Sequence, residues 1–317
     1  MSSLTRNETA KWLLAHDHFL ILSHKRPDGD TIGSSAALCL GLRQLGKTAH
    51  VLRNMEVTEK YLHLHRGLTK DCPETGDTLI AVDTAAPQLL PEAYSHLAKF
   101  VRLRIDHHGS DTPFAPLQLV DAASGACGEI IYDVLTEMGV QLDKRMAEAL
   151  YTAISTDTGC FRYANTTAHT FRTAAACWEA GGDLQSVNQA IFDTNSFGRL
   201  RLQGWMTENI RFRCGGQVAV CPLPAQVERE LGLTEDDLEN VSGFPRSIEG
   251  VKIAATLRQT GDGCVKVSVR ALPGYDAAKV CAKFGGGGHK GAAGASLKAE
   301  LEEAAAMVSM EMENLFK

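Results

Sequence analysis

The stretch HFLILSHKRPDGDTIGSSAALCLGLRQLG, running from His18 to Gly46, decides how this chain reads. His18–Ser23 is a short apolar run of the kind found in a buried strand. Pro27 and Gly29 break it, and Ile32–Leu45 then shows helical spacing. A strand, an acid- and histidine-rich turn and a helix make the opening of an α/β unit. The same alternation continues with candidate strands at Ala49–Arg53, Thr78–Val82, Phe100–Ile105 and Leu117–Val120, and a candidate helix at Ala86–Leu97. It predicts a parallel sheet with helices on both faces.

Farther along, the character changes. Residues 125–209 read as almost entirely helical, with Gly139 and the Gly181-Gly182 pair as helix stops. Beyond Arg213 come GGQVAVCPL, VKIAATLRQ and GCVKVSVRAL, the last after a Gly-Asp-Gly turn, and these read as hairpins in a mixed α/β fold. A helix over Lys298–Phe316 closes the chain. The expected organisation is an α/β domain over 1–190, a helical linker over 191–212 and a smaller mixed α/β domain over 213–317. A length of 317 residues agrees with two domains.

Composition narrows the function classes. With 44% apolar and 22% charged residues the chain is an ordinary globular one. A net charge of −6 excludes a basic sheath for long duplex nucleic acid and leaves room for a small phosphorylated ligand or a very short nucleic acid. Nine cysteines, an odd number with no CxxC pair, point to reduced thiols in a cytoplasm instead of disulfides or a zinc knuckle. Neither an export signal nor an 18-residue apolar window is expected, so no membrane partner is expected.

The acids and histidines fall where chemistry is expected. Strand one ends in His24, Asp28 and Asp30, the third in Asp83, the fourth in Asp106-His107-His108, and a helical run ends in Asp157. Ligands of an open parallel sheet bind outside the carboxyl ends of its strands, so these residues converge on one edge. Each has a bland reading: Asp83 as a turn residue or helix cap, Asp28-Gly29-Asp30 as a tight turn, the histidine pair as coincidence. Three strand ends needing three unrelated explanations favour the other reading. Four carboxylates with two imidazoles repel and desolvate badly without cations, and their charge matches two divalent ions. Mixed oxygen and imidazole ligation suits Mn2+ better than calcium, with Mg2+ or Co2+ as substitutes.

A second signal is GGGGHKGAAG. Gly285, Gly286, Gly287 and Gly288 can turn backbone N–H groups inward as an anion nest, and His289, Lys290 and Arg270 add side-chain donors. The spacing of a P-loop is absent. Arg162 is a further phosphate candidate. Lys25-Arg26 and Lys144-Arg145 read as solvated charges, Trp12, Trp178 and Trp205 as packing, and His63 and His65 as surface.

HKRPDGDTIGS, AVDTA, IDHHGSD and STDTGCFRY, with GGGGHKGAAG after them, resemble the ordered motifs of the DHH phosphoesterase superfamily and its associated C-terminal domain. The resemblance covers His24 to Gly294 and is strongest to the compact bacterial nanoRNase and pAp-phosphatase group, relatives of the RecJ exonuclease. It implies that His24 and Asp28 hold one metal, Asp30 and His107 the other, with Asp83 bridging and Asp157 completing the set. Asp106 would orient an imidazole, and His108 would face the substrate phosphate without being a ligand. The glycine segment would hold the nucleotide end across an interdomain cleft. The implied activity is hydrolysis of single-stranded RNA or DNA oligomers of two to five nucleotides to mononucleotides, and of pAp (3′-phosphoadenosine 5′-phosphate) to AMP, by a two-metal-activated water. Linear or cyclic dinucleotide hydrolysis, pyrophosphate or polyphosphate hydrolysis and a non-catalytic nucleotide sensor are the alternatives. A homodimer is left open.

Overall fold

In the computed structural model the chain forms two compact units, Met1–Thr194 and Asn195–Lys317. The structure describes all residues except 1, 110, 111, 113, 239, 240, 262 and 317. Among the described residues no helix is long and apolar enough to cross a membrane.

The first unit runs β1 (Ser2–Ser3), α1 (Arg6–Ala15), β2 (Phe19–Leu22), α2 (Gly29–Gln44), β3 (Ala49–Leu52), α3 (Glu59–Leu62), β4 (Thr69–Lys70), β5 (Thr78–Val82), β6 (Leu103–Asp106), β7 (Leu117–Val120), α4 (Cys127–Glu137), α5 (Lys144–Asp157), α6 (Ala168–Glu179) and α7 (Leu184–Asn188). Its sheet has the order β1-β7-β6-β5-β2-β3-β4, and every pairing is parallel. Strands buried on both faces explain the continuous apolar runs read in the sequence. Phe19, Ile21, Ile80, Val82, Leu103 and Ile105 face a core built with α1, α2, α4 and α5. Leu20, Leu22, Leu79 and Ala81 face the other way, onto Leu90, Leu97 and Val101.

That second face corrects the expected helix over Ala86–Leu97. Its cover is 3-10 turns, Pro87–Leu89 and Glu92–Phe100. Pro87 and Pro91 withhold backbone donors and restrict the residues before them, so an α-helix cannot run through. His65, read as surface, is buried: its Nε2 lies 2.9 Å from Ser35 Oγ on α2. Burial holds its imidazole down at about 4, so it is a neutral packing group. Trp178, read as packing, is 63% exposed on α6, whereas Trp12 and Trp205 do pack against cores.

The close seating of α2 on α5 has a sequence cause. A Cβ on Gly33 would lie 2.2 Å from the carbonyl oxygen of Ala149, and one on Gly29 would meet Thr156 at 2.5 Å. Only glycine lets these helices approach this far, and the approach carries the end of α5 to the start of α2.

The second unit runs α8 (Phe197–Asn209), β8 (Arg211–Arg213), β9 (Val218–Leu223), α9 (Ala225–Leu231), α10 (Glu235–Leu238), β10 (Ile253–Gln259), β11 (Val265–Ala271), α11 (Ala277–Ala282), β12 (Gly287–His289), β13 (Ala292–Leu297) and α12 (Leu301–Glu313). Sheet order is β12-β13-β11-β10-β9-β8. VAVCPL and IAATLRQ are not a hairpin: β9 and β10 pair in parallel, with α9 and α10 between them in sequence, while β10 and β11 do form one. α8 inserts Leu202 and Met206 into a core with Ala219, Cys221, Leu223 and Ala254 on one sheet face. The opposite face packs Val265, Val267 and Val269 against α11 and α12.

Candidate active site

Asp28 and Asp30 sit where β2 gives way to α2. Asp28 is the N-cap, its Oδ1 accepting from the backbone N–H groups of Asp30 and Thr31, each at 3.1 Å. The bland reading of Asp28 as a cap is therefore true, and it leaves Oδ2 for other work. Asp30 is buried in the first turn of α2 and accepts from Cys127 N–H at 2.7 Å, Gly128 N–H at 2.9 Å and Ser34 Oγ at 2.9 Å. It thus meets the positive ends of two helices, which favours its charge.

Asp83 follows β5 in the left-handed region, φ 50°, a conformation that costs a non-glycine residue free energy and that clusters at functional sites. Its Oδ2 accepts from Thr31 Oγ1 at 2.6 Å. His24 and His107 are oriented alike: Nδ1 of His24 donates to the carbonyl of Lys25 at 2.8 Å, and Nδ1 of His107 donates to that of Ser124 at 3.3 Å. A carbonyl accepts only from a protonated Nδ1, so in each ring it is Nε2 that faces the site. His24 Nε2 is 3.8 Å from Asp83; His107 Nε2 is 3.7 Å from Asp30, 3.7 Å from Asp83 and 3.4 Å from Asp157. Asp157 ends α5, at the negative end of a helix dipole, an unfavourable place for an acid unless something else holds it there.

Three clusters result among the described residues, each with its ligand atoms within 4.8 Å of one another: His24, Asp28 and Asp83; Asp30, His107 and Asp157; and Asp83, His107 and His108. Among the described residues Asp83 Oδ1, 3.4 Å from His108 Nδ1, and His107 Nε2 are buried without a hydrogen-bond partner, although buried polar atoms are almost always paired. Two unsatisfied atoms of donor type, aimed into one nest of carboxylates, fit divalent cations.

The electrostatics agree. Burial raises the Asp30 carboxyl well above its usual range, and the charges of Asp83, Asp157 and Asp28 add to this. Burial likewise pushes Asp157 up to about 7, with His107 opposing and Asp28 and Asp83 reinforcing. Asp83 moves the other way: burial works against its charge, but His108, His24 and His107 more than offset it and hold it low. The imidazole of His108 is raised to about 11, first by its hydrogen bond to Asp106 and then by Asp83. One carboxylate held ionised by imidazoles, beside two forced toward neutrality, is an acid cluster short of positive charge.

Asp106, fully buried at the end of β6, accepts at Oδ1 from the N–H of His108 at 2.8 Å and from its Nδ1 at 2.9 Å. It orients His108, not one of the two imidazoles whose Nε2 is free to ligate. Oδ2 is held by the guanidinium of Arg104, a residue that the motifs do not single out. Nor do they single out Thr31, Ser34 or the amides of Cys127 and Gly128. Arg162 is exposed, its Nε donating to the carbonyl of Gly159 at 2.6 Å, and among the described residues no contact joins it to the carboxylates.

The glycine segment is a β-hairpin edge. Gly287–His289 pairs with Ala292–Gly294 of β13. A Cβ on Gly286 would lie 2.2 Å from the Gly294 carbonyl oxygen, and one on Gly288, at φ 141°, would lie 2.6 Å from that of Ala292, so this close pairing needs glycine. The register puts Arg270 opposite Ala292 and Ala292 opposite His289. Residues opposite one another share a sheet face, so Arg270 and His289 flank the small Ala292 about 10 Å apart. His289 and Lys290 are exposed.

The DHH family N-terminal domain matches residues 18–154, and the DHHA1 domain matches residues 215–314. The bifunctional oligoribonuclease and PAP phosphatase NrnA of Thermus thermophilus is 35% identical over 286 residues, covering 88% of this chain and 83% of that protein. Among solved structures, an exopolyphosphatase-related protein from Bacteroides fragilis superposes with a TM-score of 0.85 at 24% identity, covering 98% of this chain and 97% of that one. RecJ of Thermus thermophilus in complex with Mn2+ superposes with a TM-score of 0.54 at 16% identity, covering 98% of this chain and 55% of that one. By its two matched domains and its acid-histidine strand ends, this chain belongs to the DHH family, in the branch with a DHHA1 domain that also holds the NrnA proteins.

Proposed function

We propose that this protein hydrolyses phosphoester bonds in single-stranded oligonucleotides of a few residues, releasing mononucleotides, and removes the 3′-phosphate of pAp, with divalent cations, manganese foremost. The observation that carries the reading is a pair of buried atoms of ligand type, Asp83 Oδ1 and His107 Nε2, that lack a hydrogen-bond partner among the described residues and lie inside the acid-histidine cluster. The name of the 35% identical relative supplies the substrate class. His24 and Asp28 would hold one cation and Asp30 and His107 the second, with Asp83 shared and Asp157 completing the set. When bound, the cations supply positive charge for the phosphate oxygens and lower the pKa of an attacking water.

The chain's own groups do the rest. His108, with Nδ1 committed to Asp106, presents its ring to a phosphate oxygen as a fixed cation and stabilises the charge that develops there. The sheet face bearing Arg270 and His289, with Lys290 and Gly285–Gly288 beside it, grips the nucleotide end, and Arg162 adds a phosphate contact. Guanidinium and imidazolium donors suit a terminal phosphate. Nine cysteines with no CxxC pair agree with a reducing cytoplasm. The test is turnover with Mn2+ of labelled short RNA beside pAp, pyrophosphate and a cyclic dinucleotide. Cleavage of RNA and pAp is expected; cleavage of pyrophosphate alone overturns the reading.

A further inference from the structure

Arg104 is the largest side chain that the protein buries completely, at 1% exposure. It lies two residues before Asp106 on β6, so both side chains leave the strand on the same face, while Leu103 and Ile105 enter the opposite core. Its Nε donates to Asp106 Oδ2 at 3.0 Å and its Nη2 donates to the same oxygen at 2.7 Å. Nη2 also donates to the backbone carbonyl of His108 at 3.2 Å. The other Asp106 oxygen takes both N–H groups of His108. Arg104, Asp106 and His108 therefore form one closed chain from the interior of the sheet to the site.

A buried ion pair is a poor way to stabilise a sheet, because two apolar residues of equal volume commonly do as well or better. This one is placed where its geometry matters. An isolated carboxylate next to His107 is free to turn toward the cation cluster. With Oδ2 clamped by a planar fork, Asp106 stays out of the ligand set and its Oδ1 is fixed toward His108. We propose that Arg104 is a positioning residue for phosphoester hydrolysis: by locking Asp106 it sets the place and direction of the His108 ring. The proposal rests on the reading that His108 faces the substrate phosphate.

The experiment is a double-mutant cycle on the metal-loaded protein with a short RNA substrate. R104K keeps the charge and loses the fork. It is expected to lower kcat by roughly 10–100-fold, the usual cost of losing such an outer support, with KM and bound-metal stoichiometry unchanged. In the H108A background the same R104K is expected to change kcat less than twofold, since Arg104 acts through His108. Equal losses in both backgrounds, or loss of metal, overturn the role of Arg104. Wild-type turnover by H108A alone overturns instead the reading of His108 on which the proposal stands. If R104K does not fold, R104M/D106L replaces the pair by apolar volume; it should bind metal and show the kcat of H108A, and wild-type kcat would refute the proposal.

Discussion

Replacing Gly33 by alanine tests whether the seating of α2 on α5 sets the geometry of the site. Alanine is the better helix former by about 1 kcal/mol, so on an exposed helix the change would stabilise. Here the new Cβ falls 2.2 Å from the carbonyl oxygen of Ala149 and 2.9 Å from the N of Ala153. Both are backbone atoms and no rotamer change relieves them. Ordinary contact begins near 3.4 Å, so the helices must part by about 1.2 Å. Overpacking of this kind costs about 1–3 kcal/mol, which exceeds or cancels the propensity gain. The displaced helix ends in Asp157, 3.4 Å from His107, and ligand distances tolerate only about 0.2 Å. Misplacement by about 1 Å costs roughly 100-fold in rate. Urea unfolding of the metal-loaded protein, calorimetric metal titration and turnover of short RNA read the three effects. A Cβ added at Gly204 in α8 would have nothing within 4 Å, so Gly204→Ala is the control with the opposite sign on stability and no effect on turnover. Gly33→Ala protein as stable as wild type with unchanged kcat would refute the argument that close helix approach builds the site.

Three further outcomes are expected. Asp83→Ala should be the most damaging single ligand change, because among the described residues Asp83 alone belongs with both the His24-Asp28 pair and His107; substantial turnover by the folded variant would remove the two-cation reading. The metal-free protein should lose stability as pH rises from about 6.5 to 9. His108 is raised in the folded state above its unfolded value near 6.5, so its contribution is complete below pH 6.5 and is lost as pH rises toward about 11. His108→Ala should flatten that slope in thermal melts, and an unchanged slope would refute it. Arg270→Ala and His289→Ala should raise KM for short RNA and pAp by roughly 10–150-fold, the worth of a charge-assisted contact, while a minimal ester such as bis-p-nitrophenyl phosphate is cleaved as by wild type. Equal loss on both substrates would put these residues in the chemistry instead.

What the sequence showed and what it hid divide along physical lines. The parallel strand-helix alternation and the convergence of His24, Asp83 and His107 were legible because a parallel sheet sends every carboxyl end to one edge, so the strand ends could be identified without knowing the neighbours. Close approach was not legible. Gly29 and Gly33 look like any helix-opening small residues until Ala149 and Thr156 are found against them. Nor was pairing direction: VAVCPL and IAATLRQ have the same alternation whether they run parallel or antiparallel, and only the short helices between them decide it. The 3-10 cover at Pro87 and Pro91 was legible in principle, because two prolines in a candidate helix are a stop signal that the apolar spacing outweighed. Arg104 carried a signal as well, a charge at a position that strand alternation buries.

The four carboxylates are held by unequal means, and the inequality explains why they stay together. Asp30 has helix amides and a serine hydroxyl, and Asp28 caps its own helix. Asp83 depends on Thr31 and on surrounding imidazoles, in a strained backbone conformation. Asp157 stands at the wrong end of its helix, with a carboxyl that burial pushes up to about 7. Local preference therefore supports two of the acids and opposes the other two, and the opposed pair faces His107. A fold keeps such residues only where the surrounding packing over-determines them, here through the glycine-permitted contact of α2 with α5 and the strand-end turn after β5. Adding positive charge relieves Asp30 and Asp157 most, because burial pushes both carboxyls up, whereas imidazoles already hold Asp83 ionised. Cation binding and tightening of the α5 end are then one event, and the stability gained on adding Mn2+ should be smaller in Asp157→Asn than in wild type, since the asparagine has no charge to relieve.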